Sequence, residues 1–345
     1  MRILHAASFG NPLPGGFVPM IAALARRLTA REDAFALAVP RVAGATWYPL
    51  VREAGAELHL VAGTGEAARL ARVWRPDLLH THFFSWEAAL TLKLWNQPAR
   101  IFWHTHSTSL RDGRVRRDAK SLVKYRLIGA RVERFVAVSH AVGEELVVRG
   151  APRARVVAVH NGVDAVRFAP ASPAARARAR ADLGLGPKPA ILFFGRDPHL
   201  KGADVLCGAL ASLPDATVVT VATPPEARAA LERHARVVAI ERSEDPRALF
   251  AAADVLALPS RGEGYPFTLV EAALSGLPVV ASDLPALRET GAGRAGVTYA
   301  AVGDAPGLGA ALRAALAGGR VSPSVLPEDS LEAWAARIEA LYGEG

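Results

Sequence analysis

The sequence alternates short apolar runs with stretches of helical periodicity, and this alternation is the feature that most limits how the chain can fold. Ile3–Ala7 is predicted to be a buried strand, and Phe17–Leu28 places its large apolar residues on one face of a helix. Strands that alternate with helices indicate a parallel sheet built from β-α-β units. The further strands predicted in the first half are Ala34–Val39, Glu57–Val61, a strand beginning at Leu78, Arg100–Trp103, Phe135–Ser139 and Arg155–Val159.

The alternation stops once and then restarts. Residues 165–190 are rich in turn-forming residues and contain one short basic helix, Ala174–Asp182. We therefore predict two α/β domains, residues 1–165 and residues 166–328, and a length of 345 residues agrees with about 150 residues per domain. The strands predicted in the second domain are Ala190–Phe194, Ala216–Val221, Val237–Ile240, Asp254–Leu258 and Pro278–Ala281.

Composition excludes several classes of protein. The hydrophobic fraction of 51% is too high for a disordered chain. Cys207 is the single cysteine, so an intrachain disulfide and a cysteine-based zinc site are both excluded. No apolar run approaches the roughly 18 residues of a spanning helix, and the first residues lack the apolar core of a signal peptide. We expect a cytoplasmic protein.

The positive charge is confined to the first half. The chain carries a net +8, and residues 1–165 hold 23 Lys and Arg against 13 Asp and Glu, a net +10. The segment 111–134 alone has nine basic and three acidic residues. It is either a surface for anionic lipid at the inner membrane face or for an anionic acceptor, or a solvated helix face. Nucleic acid is not expected as a partner, because no pattern of stacking aromatic residues accompanies the charge.

Two glutamates follow the strand that ends at Leu258. Glu263 lies in a glycine-flanked loop, and Glu271 lies in an apolar helix that Pro266 opens. A carboxylate on such a helix is costly without a partner, and a diol such as ribose would satisfy both oxygens. The alternative is that Glu271 pairs with an arginine while Glu263 is a solvated loop residue. Amides that would suit a phosphate belong to the first residues of this helix, Phe267 and Thr268.

Two cations and two glycines form the other candidate binding motifs. Arg196 and Lys201 lie between a strand and a helix, where they could clamp a diphosphate and stabilise a leaving group as its negative charge grows. The alternative is two surface cations. Gly15 and Gly16 precede the first helix and would let the backbone approach a ligand closely. Their spacing does not match G-x-G-x-x-G, which argues against a nicotinamide dehydrogenase.

These motifs together resemble those of a known family. Seven residues separate Glu263 from Glu271, and this resembles the E-x7-E signature of the retaining glycosyltransferases of family 4. The run from Gly195 to Gly202 resembles their G-R-x4-K-G donor-phosphate motif. The resemblance extends over residues 8–290 or so. It implies the GT-B architecture, two Rossmann-like doubly wound parallel-sheet domains facing across a cleft, with the C-terminal helix (329–345) returning to the first domain.

The resemblance also implies an activity and roles for individual residues. The enzyme would move a sugar from a nucleotide-diphosphate sugar to an acceptor hydroxyl, on a glycan, a lipid or a small molecule, with retention of configuration. Glu271 would hold the donor ribose, Glu263 would contact hydroxyls of the transferred sugar, and Arg196 and Lys201 would neutralise the leaving diphosphate. The other donor-binding residues so implied are Gly15, Gly16, Gly264, Phe267 and Thr268.

No metal or other cofactor is expected, since the family generally works without a metal and this sequence has no D-x-D triplet. Two departures from the family pattern, in the loop 241–245 and at Tyr265-Pro266, leave the donor base and sugar open. A nucleotide-sugar epimerase of GT-B fold and a non-catalytic nucleotide-sugar-binding subunit remain as alternative functions.

Histidines follow two of the predicted strands, His80 and His82 after one and His104 and His106 after the other. Residues i and i+2 of an extended chain face the same side, so these four imidazoles could bind zinc or nickel. Packing is the favoured alternative because no carboxylate or cysteine lies close by, and His5 is expected to be structural or solvated. The resemblance implies that His104 lies beside the transferred sugar. The remaining acceptor-side candidates are His106, Arg114, Arg117 and Lys120.

Overall fold

The computed structural model of the protein describes residues 1–83, 86–108, 119–243 and 245–343. These residues form two compact units. The first contains the described residues up to 163 together with 327–343, and the second contains those of 164–326. Each unit is one parallel sheet flanked by helices, so the predicted fold class of two doubly wound α/β domains is confirmed.

The first unit is built on a seven-stranded parallel sheet in the order β3-β2-β1-β4-β5-β6-β7. The order reverses between β1 and β4, and ligands of open α/β sheets bind outside the carboxyl ends of strands at such a switch point. The strands are β1 (Arg2–Ala7), β2 (Ala34–Pro40), β3 (Glu57–Val61), β4 (Leu78–His82), β5 (Arg100–Thr105), β6 (Arg134–Ala137) and β7 (Val156–Ala158).

Helices cover both faces of this sheet. On one face, Leu4 and Ala6 of β1 pack in an apolar cluster with residues of the third helix. The chain's last helix, Leu331–Gly343, buries Trp334, Ile338 and Tyr342 and belongs to the first unit, where it packs on the first helix. The other α-helices described in this unit are α1 (Phe17–Thr29), α2 (Tyr48–Glu53), α3 (Thr64–Trp74), α4 (Glu87–Lys93), α5 (Ala119–Leu122) and α6 (His140–Val148).

The second unit repeats the plan with a six-stranded parallel sheet in the order β10-β9-β8-β11-β12-β13. Its switch point lies between β8 and β11. The strands are β8 (Ala190–Phe194), β9 (Thr217–Val221), β10 (Arg236–Ile240), β11 (Val255–Leu258), β12 (Val279–Ser282) and β13 (Val297–Ala300). The helices are α7 (Pro173–Asp182), α8 (Ala203–Leu210), α9 (Pro225–Glu232), α10 (Arg247–Ala252), α11 (Phe267–Leu274), α12 (Pro285–Gly291) and α13 (Ala305–Gly318). No helix among the described residues of either unit is long and apolar enough to cross a bilayer.

The predicted ends of two strands are wrong. His80 and His82 lie inside β4, and His104 lies inside β5, whereas the sequence placed all three after the strands. The three side chains are completely buried. A prediction based on apolar runs ends a strand at its first polar residue. Both faces of a central parallel strand are covered, however, so these buried imidazoles are still part of the strands.

Candidate active site

The switch point of the second unit brings two loops together. The loop after β8 carries Lys201 and the loop after β11 carries Glu263, although 62 residues separate the two in sequence. Arg261 of the second loop donates its backbone N–H to the carbonyl of Leu200, 2.7 Å away. Gly202 has φ +72°, and a side chain there would overlap the carbonyl of Pro259. The close approach of the loops therefore depends on glycine at this position.

Lys201 and Glu263 form a direct ion pair. The ammonium nitrogen Nζ lies 2.6 Å from Oε1 of the carboxylate, and the Ser260 hydroxyl donates to the same oxygen over 2.7 Å. The side chain of Glu263 is 9% exposed and that of Lys201 is 28% exposed. Both contacts end on Oε1, so Oε2 is left to accept a hydroxyl of a ligand. The predicted phosphate-binding cation and the predicted sugar-binding carboxylate thus lie in contact.

Arg196 lies in the same β8–α8 loop and is exposed. It makes no ion pair with any other residue that the structure describes. Arg261, on the neighbouring loop, is by contrast held by both carboxylate oxygens of Asp204, at 2.8 and 2.6 Å. Arg196 is therefore a guanidinium at the carboxyl edge of the sheet that is available to an anionic ligand.

Glu271 lies on α11 with a half-buried side chain. Burial raises the pKa of this carboxyl from its ordinary value to about 7, and the positive charge of Arg167 opposes the shift. The alternative interpretation, in which Glu271 pairs with an arginine, has a candidate partner in Arg167, whose charge acts on the carboxyl without a hydrogen bond to it. Pro266 precedes the helix and supplies no side-chain cap, so the first amides, those of Phe267 and Thr268, have no side-chain acceptor among the described residues.

The glycines predicted to bind the donor lie in both units. Gly264 is buried in the loop that carries Glu263. Gly15 and Gly16 belong to the first unit and precede α1. Gly15 is exposed with φ +52°, and a Cβ added there would meet no atom within 4 Å. The open space beside Gly15 agrees with a backbone segment that a ligand could approach.

The first unit gathers five imidazoles on one side of its sheet. Strand pairing sets His5 beside His80 and His82 beside His104, and His106 follows two residues later. Adjacent rings lie close, with 4.6 Å between the centroids of His80 and His82 and 4.3 Å between those of His104 and His106. Burial lowers the pKa of His106 to about 3 and that of His104 well below its usual range, so both rings are neutral.

The two histidines predicted on the acceptor side differ in exposure. His104 is completely buried, and neither ring nitrogen has a hydrogen-bond partner among the described residues. His106 is half-buried, and its Nε2 lies 2.9 Å from Nδ1 of His82. His106 is therefore the histidine that can be reached from the surface.

The basic residues of segment 111–134 have different environments. Lys120 is exposed, while Arg114 and Arg117 lie outside the described residues. Lys124 forms an ion pair with the fully buried Glu87. Arg131 donates to carbonyl oxygens of the loop before β5, with 2.6 Å between its Nη2 and the carbonyl oxygen of Gln97. Part of the positive charge thus stabilises the first unit itself.

Sequence reasoning assigned no role to two residues that prove central. Ser260, in the Leu-Pro-Ser run after β11, donates to Glu263. Tyr342 lies among the apolar residues of the last helix, and its hydroxyl lies 2.8 Å from Nε2 of His5 and 2.7 Å from Nδ1 of His80. A tyrosine within an apolar stripe is itself a signal, because a buried hydroxyl requires a partner.

Sequence comparison matches both units to glycosyltransferase families. The family described as Glycosyltransferase Family 4 matches residues 14–167, and the family described as Glycosyl transferases group 1 matches residues 188–318. Two similar curated relatives are both D-inositol 3-phosphate glycosyltransferases. The relative from Xylanimonas cellulosilytica is 32% identical over 61% of this chain and 57% of its own length. The relative from Kineococcus radiotolerans is 29% identical over 78% of this chain and 64% of its own length. The chain therefore spans less than two thirds of these relatives.

Solved structures share the fold over the whole chain. Anabaena HepE in complex with UDP and glucose superposes with a TM-score of 0.78 at 17% identity, covering 100% of both chains. Sucrose-phosphate synthase from Thermosynechococcus elongatus gives a TM-score of 0.74 at 18% identity, covering 100% of this chain and 98% of the other. At these identities the likeness concerns the fold.

Proposed function

Because the chain belongs to the glycosyltransferases of family 4, we propose that it transfers a sugar from a nucleotide-diphosphate sugar to an acceptor hydroxyl with retention of anomeric configuration. The observation that carries the proposal is the contact of Lys201 with Glu263 at the switch point of the second sheet, 2.6 Å between Nζ and Oε1. This contact places a cation that can bind the diphosphate beside a carboxylate that can accept hydrogen bonds from sugar hydroxyls. Sugar transfer requires both groups to be positioned in this way.

The chemistry of the step follows from these charges. As the bond from the anomeric carbon to the diphosphate breaks, negative charge grows on the leaving oxygen and positive charge on the sugar ring. Lys201 and Arg196 offset the first charge, and the carboxylate of Glu263 holds a sugar hydroxyl through Oε2. Glu271 accepts hydrogen bonds from the ribose. With two cations at the leaving group, we propose that the step needs no metal ion, so chelator should leave its rate unchanged.

The acceptor side is proposed to lie on the first unit. Its residues 1–165 carry a net +10, and two similar relatives are named for an inositol phosphate acceptor. Both facts favour a small phosphorylated alcohol as the first acceptor to test. Exposure favours His106 over His104 as the histidine beside the sugar. A lipid-linked acceptor, with contact between segment 111–134 and an anionic membrane, is the other form of this proposal, and sedimentation with anionic liposomes at low salt tests it.

The testing experiment is a thermal-shift screen against UDP-, GDP- and ADP-sugars, followed by transfer assays with each stabilising donor. Ligand that binds the folded state raises its apparent stability, by about 2.7 kcal/mol at a hundred times Kd. The HepE complex with UDP and glucose makes UDP-glucose the first donor to try. We expect one donor to raise Tm and to yield a product of retained configuration by NMR. An inverted anomer contradicts the proposed mechanism, and free isomerised donor supports the epimerase instead.

A further inference from the structure

Three of the buried imidazoles are arranged differently from the other two. His5, His80 and His82, here called the inner triad, come from the adjacent central strands β1 and β4 and are completely buried. One nitrogen from each ring lies within 4.8 Å of a nitrogen of the other two. Backbone register fixes this grouping, since His5 pairs directly with His80 and His82 is two residues further along the same face.

The outer nitrogens of the inner triad all have partners. Nε2 of His5 and Nδ1 of His80 lie 2.8 and 2.7 Å from the hydroxyl oxygen of Tyr342. Nδ1 of His82 lies 2.9 Å from Nε2 of His106. If the three imidazoles donate these N–H groups, then each inner nitrogen carries a lone pair. Metal-bound histidines are oriented in this way, by a hydrogen bond from the ring nitrogen that does not bind the metal.

The inner nitrogens are poorly satisfied without an ion. Nε2 of His80 is buried with no hydrogen-bond partner among the described residues. Nδ1 of His5 and Nε2 of His82 face each other at 2.9 Å, so two lone pairs oppose each other there when both outer N–H groups are donated. A cation in the same place would bind all three nitrogens.

We propose that the inner triad binds one first-row transition-metal ion, Zn²⁺ being the natural probe, through Nδ1 of His5 and the Nε2 atoms of His80 and His82. Three imidazoles with a water molecule as the fourth ligand suffice for zinc, so the absence of a nearby carboxylate or cysteine, which made packing the expected role of these histidines, is no obstacle. Tetrahedral bonds of about 2.0–2.1 Å put ligand nitrogens roughly 3.3 Å apart, within the spread already present. All of the proposed ligands belong to the first unit.

The other three-histidine group, His82 with His104 and His106, is less suited to a metal. Its nitrogens also lie within 4.8 Å of one another. However, neither nitrogen of His104 has a partner among the described residues, so nothing orients that ring toward an ion. His82 cannot serve both groups as a neutral ligand, and the oriented triad is therefore the proposed one.

The experiment counts metal in the full chain. The protein is unfolded with chelator, refolded with Zn²⁺, with Co²⁺ or with chelator, passed through gel filtration and assayed for metal. Refolding gives the buried site access to the ion, since metal binding is coupled to folding. We expect about one Zn²⁺ per chain, a higher Tm than in the chelated protein, and visible absorption from tetrahedral Co²⁺. Less than about 0.1 metal per chain with an unchanged Tm overturns the proposal.

Variants locate the ion. His80→Gln and His82→Gln should lose the metal, whereas His104→Gln and the control His234→Gln, at an exposed histidine of the second unit, should keep about one per chain. Tyr342→Phe removes only the orienting hydroxyl and should weaken Zn²⁺ binding by about 10–100-fold. Metal retained in His80→Gln but lost in His104→Gln refutes the inner triad. Because the readout is metal content, failure here leaves the proposed glycosyl transfer untouched, and the reverse also holds.

Discussion

The two units place polar groups at the same topological position, yet the polar groups differ in kind. In the first unit, the histidines of the central strands lie within the sheet and are buried and neutral. In the second, Lys201 and Glu263 lie on loops after the strands, charged and in contact. A buried strand favours polar groups that are neutral, whereas loops at the carboxyl edge of a sheet can hold charged side chains that both water and a ligand reach.

Breaking the charged pair should have the largest effect. Lys201→Ala or Glu263→Gln removes stabilisation that the leaving group and the sugar receive in the transition state, and we expect kcat/KM to fall about 10²–10³-fold. Lys188, 61% exposed in a surface pair with Asp215, offers the matched control. Lys188→Ala should stay within about twofold, because exposed pairs contribute little. Equal activity of Lys201→Ala and Lys188→Ala would contradict the assignment.

Arg196→Ala should have the next largest effect. The guanidinium is exposed, so its loss should leave the fold intact while lowering kcat about 10–100-fold, since one of two cations remains at the diphosphate. Arg233→Ala, at another exposed arginine of the second unit, is the control. Steady-state kinetics and a thermal melt separate the two outcomes. A fall in Tm without a fall in kcat would make Arg196 a structural residue.

Tyr342→Phe tests the neutral cluster, in the presence of chelator. Losing the hydroxyl leaves Nε2 of His5 and Nδ1 of His80 buried without their partner. We expect the free energy of unfolding to fall by about 1–2 kcal/mol, measured by urea titration. Tyr48→Phe, which loses a half-exposed hydroxyl bonded to the amide of Val42, should cost less. An effect of Tyr342→Phe no larger than that of Tyr48→Phe would show that the hydroxyl does not anchor the terminal helix.

The pH dependence of donor binding tests the role of Glu271. The pKa of Glu271 is about 7, and only the carboxylate form accepts hydrogen bonds from both ribose hydroxyls. Donor affinity should therefore rise by up to about tenfold per pH unit below 7 and level off above it. The folded-state pKa is raised, so this carboxyl stabilises the second unit below its unfolded pKa and the contribution is lost as the pH rises to about 7. Glu271→Gln should flatten the calorimetric affinity profile, and an unchanged profile would remove Glu271 from the donor site.

Strand and helix prediction succeeded where side-chain contrast is strong. Glu57–Val61 and Ala190–Phe194 are predicted to the residue, because turn residues border both apolar runs. Sequence periodicity does not reveal α3, whose buried residues are three alanines and one tryptophan: Ala67, Ala68, Ala71 and Trp74. Small side chains carry too little contrast between faces to mark a helix.

The site was predictable as motifs but not as geometry. The two motifs identify Lys201 and Glu263. The 2.6 Å contact between them depends on β8 lying next to β11, and neither motif predicts this strand order. The inner triad depends likewise on β1 lying beside β4. Residue spacing along the chain predicts which chemical groups are present, whereas strand pairing in the folded protein determines which of these groups come into contact.

Calorimetric titration of the donor that the thermal screen identifies, into the wild-type chain and into Lys201→Ala, tests the central claim most directly. The account predicts saturable binding of one nucleotide-diphosphate sugar per chain and a loss of at least about tenfold in affinity in the variant, since a charge-assisted contact to the diphosphate is removed. Binding of equal affinity to both proteins, or binding of no nucleotide-diphosphate sugar to a folded wild-type chain, would contradict it.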